Sequence, residues 1–187
     1  MMLMKKISAW ILKLLGWNID PKHPTAPKGV IVVGPHTSNW DFIIGRLAMR
    51  SYGLKTKVLI KKEAFFPPLG WLLKAIGGIP IDRKSNNNFT QQAVEIIKSY
   101  PEVYFIFTPE GTRSYNPKWK KGFYYIAKEA GVPIFIAYID YERKIGGFID
   151  EINPGGNVDK DIAHIKSLLA PFKGKYPEQG IRKVEDE

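Results

Sequence analysis

The sequence predicts an α/β fold in which a mostly parallel central sheet is flanked by helices and preceded by an N-terminal amphipathic helix. Short runs of β-branched and other apolar residues recur along the chain, and segments with helical periodicity separate them. This alternation is typical of parallel strands joined by helical crossovers. The 187 residues suit one domain, and 44% hydrophobic with 25% charged residues indicate a folded core.

Residues 1–20 are interpreted as the amphipathic helix. Its apolar residues recur at helical spacing, and they are Leu3, Met4, Ile7, Trp10, Ile11, Leu14 and Leu15. The segment is too short and too charged to cross a bilayer, which takes about 20 mostly apolar residues. It also lacks a signal-peptide cleavage pattern. A tryptophan near each end, Trp10 and Trp17, and several lysines favour a helix lying in a membrane interface; packing on the core is the alternative.

The pattern of apolar runs places the main folded domain at 28–175 and a polar tail at 176–187, with the tail expected to fray from residue 177. Predicted strands are 29–33, 58–60, 78–81, 103–107 and 134–139, and a hairpin pairs 137–141 with 144–149. Predicted helices are 38–50, 88–99, 119–130 and 159–169. The apolar stretch 65–73 carries two prolines and has three interpretations: the lining of an acyl groove, a membrane contact, or a short helix packed in the core.

The chain carries a formal charge of +10, from 28 basic and 18 acidic residues, so polyanionic surfaces are its expected partners. Anionic lipid headgroups and nucleic acid both satisfy this condition. The absence of cysteine excludes disulfides, thiolate metal sites and an acyl-cysteine intermediate. The three histidines show no zinc-binding spacing, and we therefore expect no metal and no resident cofactor.

Two polar clusters follow predicted strands, where α/β proteins place their sites. In the first, 36–41, His36 and Asp41 are five residues apart and fall about 140° apart on a regular helix, so they share no helix face. If His36 stays in the loop and Asp41 enters the first helical turn, the carboxylate can fix the imidazole tautomer and leave a general base. The alternative is a capped helix, with Ser38 as N-cap and Asp41 as a first-turn acid.

The second cluster, 108–114, follows the strand that ends at Phe107. Gly111 permits close backbone approach, and Arg113 offers a fork of donors suited to phosphate. Glu110 is expected to orient that arginine or a substrate hydroxyl. The alternative is an ordinary strand-exit turn in which a threonine caps the next helix and the arginine is solvated.

Taken in order, four blocks of this sequence resemble the glycerolipid acyltransferase family, which includes the 1-acylglycerol-3-phosphate acyltransferases. The blocks are His-Thr-Ser-Asn-Trp-Asp at 36–41, Gly-Gly-Ile-Pro-Ile-Asp-Arg at 77–83, Pro-Glu-Gly-Thr-Arg-Ser at 109–114 and Val-Pro-Ile at 132–134. The resemblance covers residue 29 to about residue 139. Ordered agreement of four blocks is far more specific than any one of them.

The resemblance implies an O-acyltransferase of phospholipid biosynthesis with an α/β fold. It implies His36 as general base paired with Asp41, and acyl-CoA or acyl-carrier-protein as donor. The acceptor would be a lysophospholipid such as 1-acylglycerol-3-phosphate. The residues that it assigns to the phosphate or acceptor are Arg83, Glu110, Gly111, Thr112 and Arg113. The chain is short for the family, which weakens the assignment of substrate more than that of reaction.

Two other functions stay open at this point. The first is acylation of a phosphate-free lyso-lipid, such as one that contains an amino acid. The second is a non-catalytic basic protein that binds a membrane surface or nucleic acid. No recognisable nucleic-acid module is present, and aromatic residues such as Tyr104, Phe105 and Phe107 fall in predicted core strands, so we expect no nucleic-acid partner. The expected location is peripheral, on the cytoplasmic face of a bacterial membrane.

Overall fold

A seven-stranded sheet forms the centre of the protein in the computed structural model, which describes residues 2–82 and 86–182. The strands are β1 (Asn18–Ile19), β2 (Lys28–Gly34), β3 (Thr56–Lys61), β4 (Gly78–Ile81), β5 (Val103–Phe107), β6 (Ile134–Asp140) and β7 (Ile145–Ile152). Their order across the sheet is β1-β7-β6-β2-β5-β3-β4. All neighbours run parallel except β6 and β7, which form the predicted hairpin. The predicted α/β fold is confirmed.

Helices cover both faces of the sheet. They are α1 (Met2–Leu14), α2 (Trp40–Tyr52), α3 (Leu69–Ala75), α4 (Asn86–Ser99), α5 (Gly122–Ala130) and α6 (Val158–Leu169). Side chains of α1 and α2 share one apolar cluster with the sheet, and those of α4, α5 and α6 share another. The connection from β2 to β3 through α2 and the connection from β3 to β4 through α3 both run towards the β4 edge of the sheet. Because such crossovers are right-handed, α3 lies on the same face of the sheet as α1 and α2.

The central strand β2 explains why the sheet needs both layers. Its residues Gly29 to Gly34 are all buried, although side chains alternate between the two faces of a strand. An uninterrupted apolar run is what a parallel strand covered on both sides requires. Strand β1 lay outside the predictions, because two residues carry no periodic pattern.

Helix α1 packs on α2 through Ser8 and Leu12, which are buried, while most of its predicted apolar stripe stays exposed. Trp10 is 62% exposed. The expectation that Trp17 also faces the interface is wrong, since this side chain is only 6% exposed. The chain turns back at Gly16, whose φ is +77°, and carries Trp17 into the core before β1 begins. No helix among the described residues is long and apolar enough to cross a bilayer.

Three local predictions need correction. Helix α2 begins at Trp40 rather than at residue 38, because the preceding residues form the loop that Asp41 caps. Helix α5 begins at Gly122 rather than at residue 119, because the amide of Lys120 donates to the carbonyl of Pro109 and extends the preceding loop. Core packing is wrong for the stretch 65–73, where the side chains of α3 remain largely exposed.

Candidate active site

The candidate site lies where the two predicted polar loops meet. Strands β2 and β5 are parallel neighbours in register, with Val32 opposite Phe107, so their carboxyl ends lie side by side. The loop after β2 carries His36, and the loop after β5 carries residues 108–116. Arg113 donates a hydrogen bond to the side-chain oxygen of Asn39 and thereby joins the two loops directly.

His36 and Asp41 form the predicted hydrogen-bonded pair. Nδ1 of His36 lies 3.0 Å from Oδ2 of Asp41, and the backbone amides of Thr37 and Ser38 donate to the same oxygen at 2.8 Å. Asp41 is 5% exposed, and the His36 side chain is 22% exposed. The capped-helix interpretation is correct for Asp41, which lies in the first turn of α2 and accepts from the loop amides, but wrong for Ser38, because the N-cap of α2 is Asn39.

The hydrogen bonds at Asp41 determine its charge. Burial alone would raise the pKa of this carboxyl, but hydrogen bonds from His36, Tyr141, Ser38 and Thr37 outweigh burial and hold the pKa below its ordinary value. Asp41 is therefore ionised at neutral pH, and the proton in the pair lies on Nδ1 of His36. This assignment leaves Nε2 as the ring nitrogen that can accept a proton.

Tyr141 completes the set of donors to Asp41 and was missed by the sequence interpretation. Its hydroxyl donates to Oδ1 of Asp41 at 2.7 Å. Burial, followed by this hydrogen bond to the carboxylate, raises the pKa of Tyr141 and keeps the hydroxyl protonated. The ring of Trp17 packs edge-on against Tyr141, with the centroids 5.0 Å apart. The end of the N-terminal helix is thus linked to the His36–Asp41 pair through one tyrosine.

Glu110 lies behind the histidine loop rather than in the pocket lining. Its Oε1 accepts the backbone N–H of His36 at 3.0 Å, and its Oε2 is buried without a hydrogen-bond partner among the described residues. Burial raises the pKa of Glu110 to about 7, despite hydrogen bonds and the nearby His36 that act in the opposite direction. The structure therefore does not bring Glu110 to a substrate hydroxyl or to Arg113, and its position suits support of the His36 backbone.

The other predicted binding residues have different positions. Gly111, Thr112 and Arg113 line a wide cleft of about 1340 Å³ that also includes His36. The amide of Gly111 donates to the carbonyl of Thr108 at 3.1 Å, so this donor is already engaged within the loop. Arg83 lies outside the described residues.

A second, apolar pocket of about 340 Å³ adjoins the cleft at His36 and Asn39. It lies between α2 and the strands β2, β5 and β3, and its apolar lining includes Val33, Phe42, Met49, Val58 and Ile106, of which Val58 and Ile106 also line the cleft. The wide cleft instead carries the cations Arg113, Lys120 and Lys121. His36 therefore stands at the junction of an apolar pocket and a basic cleft.

The C-terminal segment 173–182 packs on the histidine loop, so the predicted fraying is wrong for residues 177–182, and residues 183–187 of the predicted tail lie outside the described residues. The carbonyl of Lys173 accepts the Tyr141 amide at 2.8 Å, and the Tyr176 amide donates to Oγ1 of Thr37 at 3.2 Å. The guanidinium of Arg182 stacks over the ring of Tyr115, 4.1 Å from its centroid. Within the described residues, no group of three or more His, Asp or Glu side chains is placed to hold a metal ion.

Comparison with known proteins gives a family match and a similar solved structure. The family model named Acyltransferase matches residues 18–140, which include both loops of the site. The fold is similar to the crystal structure of the 1-acyl-sn-glycerophosphate acyltransferase PlsC from Thermotoga maritima, with a TM-score of 0.64 and 17% sequence identity. That similarity covers 89% of this chain and 75% of the other. No curated protein matches the sequence significantly.

The Tyr141–Asp41 hydrogen bond predicts a stability change. Tyr141→Phe keeps the ring on Trp17 but removes a donor to a buried carboxylate, so the free energy of unfolding should fall by about 1.5–3 kcal/mol at neutral pH. Urea denaturation measures this change. Tyr100→Phe, at a half-exposed tyrosine beyond α4, is the matched control and should stay within about 0.5 kcal/mol of wild type. Equal stability of Tyr141→Phe and the control would contradict the assigned role of the hydroxyl.

Glu110 predicts a pH-dependent stability difference. Because its pKa is raised from 4.5 to about 7 on folding, the unfolded chain loses this proton first. The wild type must therefore lose stability as pH rises through this window, whereas Glu110→Gln, which does not titrate, escapes that loss. The unfolding free energy of Glu110→Gln relative to wild type should rise by a few kcal/mol, in order of magnitude, between about pH 5 and pH 8. A difference that does not change with pH would contradict a buried, protonated Glu110, and Glu178→Gln, at an exposed carboxyl, is the control.

Proposed function

This chain belongs to the acyltransferase family, and on that premise we propose that it transfers a fatty acyl chain from a thioester donor to the hydroxyl of a lysophospholipid. The family match confirms the acyltransferase resemblance that the four sequence blocks carry. The observation that carries the proposal is the position of His36, which is paired with an ionised carboxylate at the junction of an apolar pocket and a basic cleft. An acyl transfer needs a base at the meeting point of these two surfaces.

The reaction follows from the assigned tautomer. Nε2 of His36 removes the proton of the acceptor hydroxyl as the oxygen attacks the thioester carbonyl, and Asp41 stabilises the imidazolium that forms. The tetrahedral intermediate then collapses, the carbon–sulfur bond breaks, and the imidazolium returns its proton to the leaving thiolate. The acyl chain ends as an ester on the acceptor, and the histidine regains its starting state without a covalent enzyme intermediate.

The two surfaces beside His36 suit the two parts of an acyl-transfer complex. The apolar pocket beside α2 has the lining expected for an acyl chain. In the cleft, Arg113 and Lys120 form a basic wall suited to a phosphate group, whereas Lys121 is ion-paired with Asp159. This wall supports a phosphate-bearing acceptor such as 1-acylglycerol-3-phosphate over a phosphate-free, amino-acid lyso-lipid. Acyl-CoA and acyl-carrier-protein both meet the requirement for a thioester donor, and neither is a resident cofactor.

A membrane-bound acceptor favours a peripheral membrane location. Residues 2–19 contain three lysines and no acidic residue, and α1 exposes large apolar side chains such as Leu3 and Trp10. Such a helix suits an anionic membrane interface, and a cytoplasmic face would give access to the thioester donors. Leu12 and Trp17 are buried in the core, so removal of residues 1–17 would disturb the fold as well as the interface.

The catalytic assignment predicts loss of activity in His36→Ala. Transfer from acyl-CoA or acyl-carrier-protein to lysophosphatidic acid should fall by about 10²–10⁴-fold, because the general base is removed while the fold is retained. Mass spectrometry of the phosphatidic acid product measures the rate. His164→Ala, at an exposed histidine on α6, is the matched control and should keep wild-type activity. Substantial turnover by His36→Ala would exclude His36 as the base, and absence of turnover by wild type across a lyso-lipid panel would contradict the proposed reaction.

The basic cleft predicts a selective KM effect. Arg113→Ala should raise KM for lysophosphatidic acid roughly two- to fivefold, the effect expected for an exposed charge pair. A phosphate-free lyso-lipid should show no such increase. Lys160→Ala, an exposed cation on α6, is the control for loss of one positive charge. An equal KM change for both acceptors would show that Arg113 does not recognise phosphate.

A further inference from the structure

Helix α3 and the residues before it form an apolar surface that the fold leaves uncovered. We name this surface, residues 65–73, the α3 surface. Trp71 is 71% exposed, Leu72 60% and Phe66 58%. Of the seven residues of α3, only Gly70 is buried. Contiguous exposed side chains of this size mark an interaction site rather than ordinary surface variation.

The α3 surface does not serve the site already described. No residue from 62 to 77 lines either pocket beside His36, among the residues that the structure describes. This stretch therefore does not line an acyl groove in the described pockets, and the exposure of its side chains excludes packing in the core. Of the three sequence interpretations, membrane contact is the one that remains.

Position in the fold links the α3 surface to α1. Helix α2 lies between them, because α1 packs on one side of α2. On the other side, Arg46 of α2 donates to the backbone carbonyl and the hydroxyl of Thr56, next to Gly77. Between these two neighbours α2 exposes Phe42 and Ile43. Apolar side chains are thus exposed on three successive helices of one face of the sheet.

The charged residues around the α3 surface indicate which kind of partner it binds. Residues 61–75 contain three lysines, at 61, 62 and 74, against one acidic residue, Glu63, and all four are exposed. Apolar side chains rimmed by lysines suit an anionic lipid bilayer, into which the rings insert while the ammonium groups meet the headgroups. The same sign of charge lies along α1, with Lys5, Lys6 and Lys13. An identical basic copy of this chain would bring like charges together.

We propose that the α3 surface is a second membrane-docking site, which inserts Phe66, Trp71 and Leu72 into an anionic bilayer on the same side as α1. This inference rests on the proposed action on membrane lipids and adds a second point of attachment. Two separated contacts fix the orientation of a peripheral protein on a plane, which one helix alone does not. The apolar pocket lined by Phe42 of α2 belongs to the same face and would then open towards the bilayer.

The test measures vesicle binding of the full chain without any catalytic readout. Vesicles of equal parts phosphatidylglycerol and phosphatidylcholine should bind wild type, and Trp71→Ser with Leu72→Ser should weaken binding at least about tenfold. Tyr100→Ser, at a half-exposed aromatic residue in the loop after α4, is the matched control and should bind as wild type. Pure phosphatidylcholine vesicles should bind wild type more weakly, and added salt should reduce binding to the anionic vesicles. Unchanged binding of the double variant would overturn the proposal.

A second measurement avoids any effect of the double variant on folding. Brominated lipids should quench the fluorescence of Trp71, so Trp71→Phe should lose part of the quenching that wild type shows, whereas replacement of the buried Trp119 by Phe should not. Equal quenching of wild type and Trp71→Phe would overturn the proposal. So would a vesicle-free dimer that Trp71→Ser with Leu72→Ser converts to a monomer, since the surface would then bind a second copy. Wild-type turnover together with unchanged vesicle binding of the double variant would overturn this inference alone, and α3-dependent vesicle binding without turnover would overturn only the proposed function.

Discussion

The buried carboxylate of Asp41 is the constraint on which the rest of the site depends. A charge removed from water needs compensating donors, and Asp41 receives them from the His36 ring, two loop amides and the Tyr141 hydroxyl. These donors come from two distant parts of the chain. Tyr141 is in turn held by Trp17 and by the carbonyl of Lys173, so the N-terminal and C-terminal segments both support one ion. Satisfying this charge fixes the histidine tautomer on which the proposed chemistry rests.

The sequence predicts those features that local pattern controls. All strands except β1 follow from apolar runs, and the meeting of the His36 and Arg113 loops follows from the rule that parallel strands end at the same edge. Tyr141 was not predictable, because it lies 100 residues from Asp41 and no spacing links them. The position of Glu110 behind the histidine loop and the packing of segment 173–182 also depend on tertiary contacts, which the polarity of the residues does not reveal. The exposure of residues 65–73 could not be predicted either, because an apolar sequence does not show whether the protein core will cover it.

The distribution of surface properties gives the molecule two unlike sides. The face with α4, α5 and α6 buries its large apolar residues in one cluster with the sheet. The face with α1, α2 and α3 leaves tryptophan, phenylalanine and leucine side chains in contact with solvent and surrounds them with lysines. An enzyme whose acceptor lies in a membrane needs this asymmetry, because its site must face lipid while its opposite side stays hydrated. The apolar pocket beside His36 belongs to the face with α1, α2 and α3, and the basic cleft opens on the other side of the same histidine.

The central claim is that Asp41 holds His36 with its proton on Nδ1 and its Nε2 free to act as base. Nitrogen-15 NMR of the imidazole ring tests this claim most directly, in the neutral form of the histidine and with the His36 signals identified by their loss in His36→Ala. The account predicts a protonated Nδ1 and an unprotonated Nε2 for His36. A neutral ring that carries its proton on Nε2 would contradict it, because that tautomer could neither donate to Asp41 nor accept a proton from an acceptor hydroxyl at the junction of the two pockets.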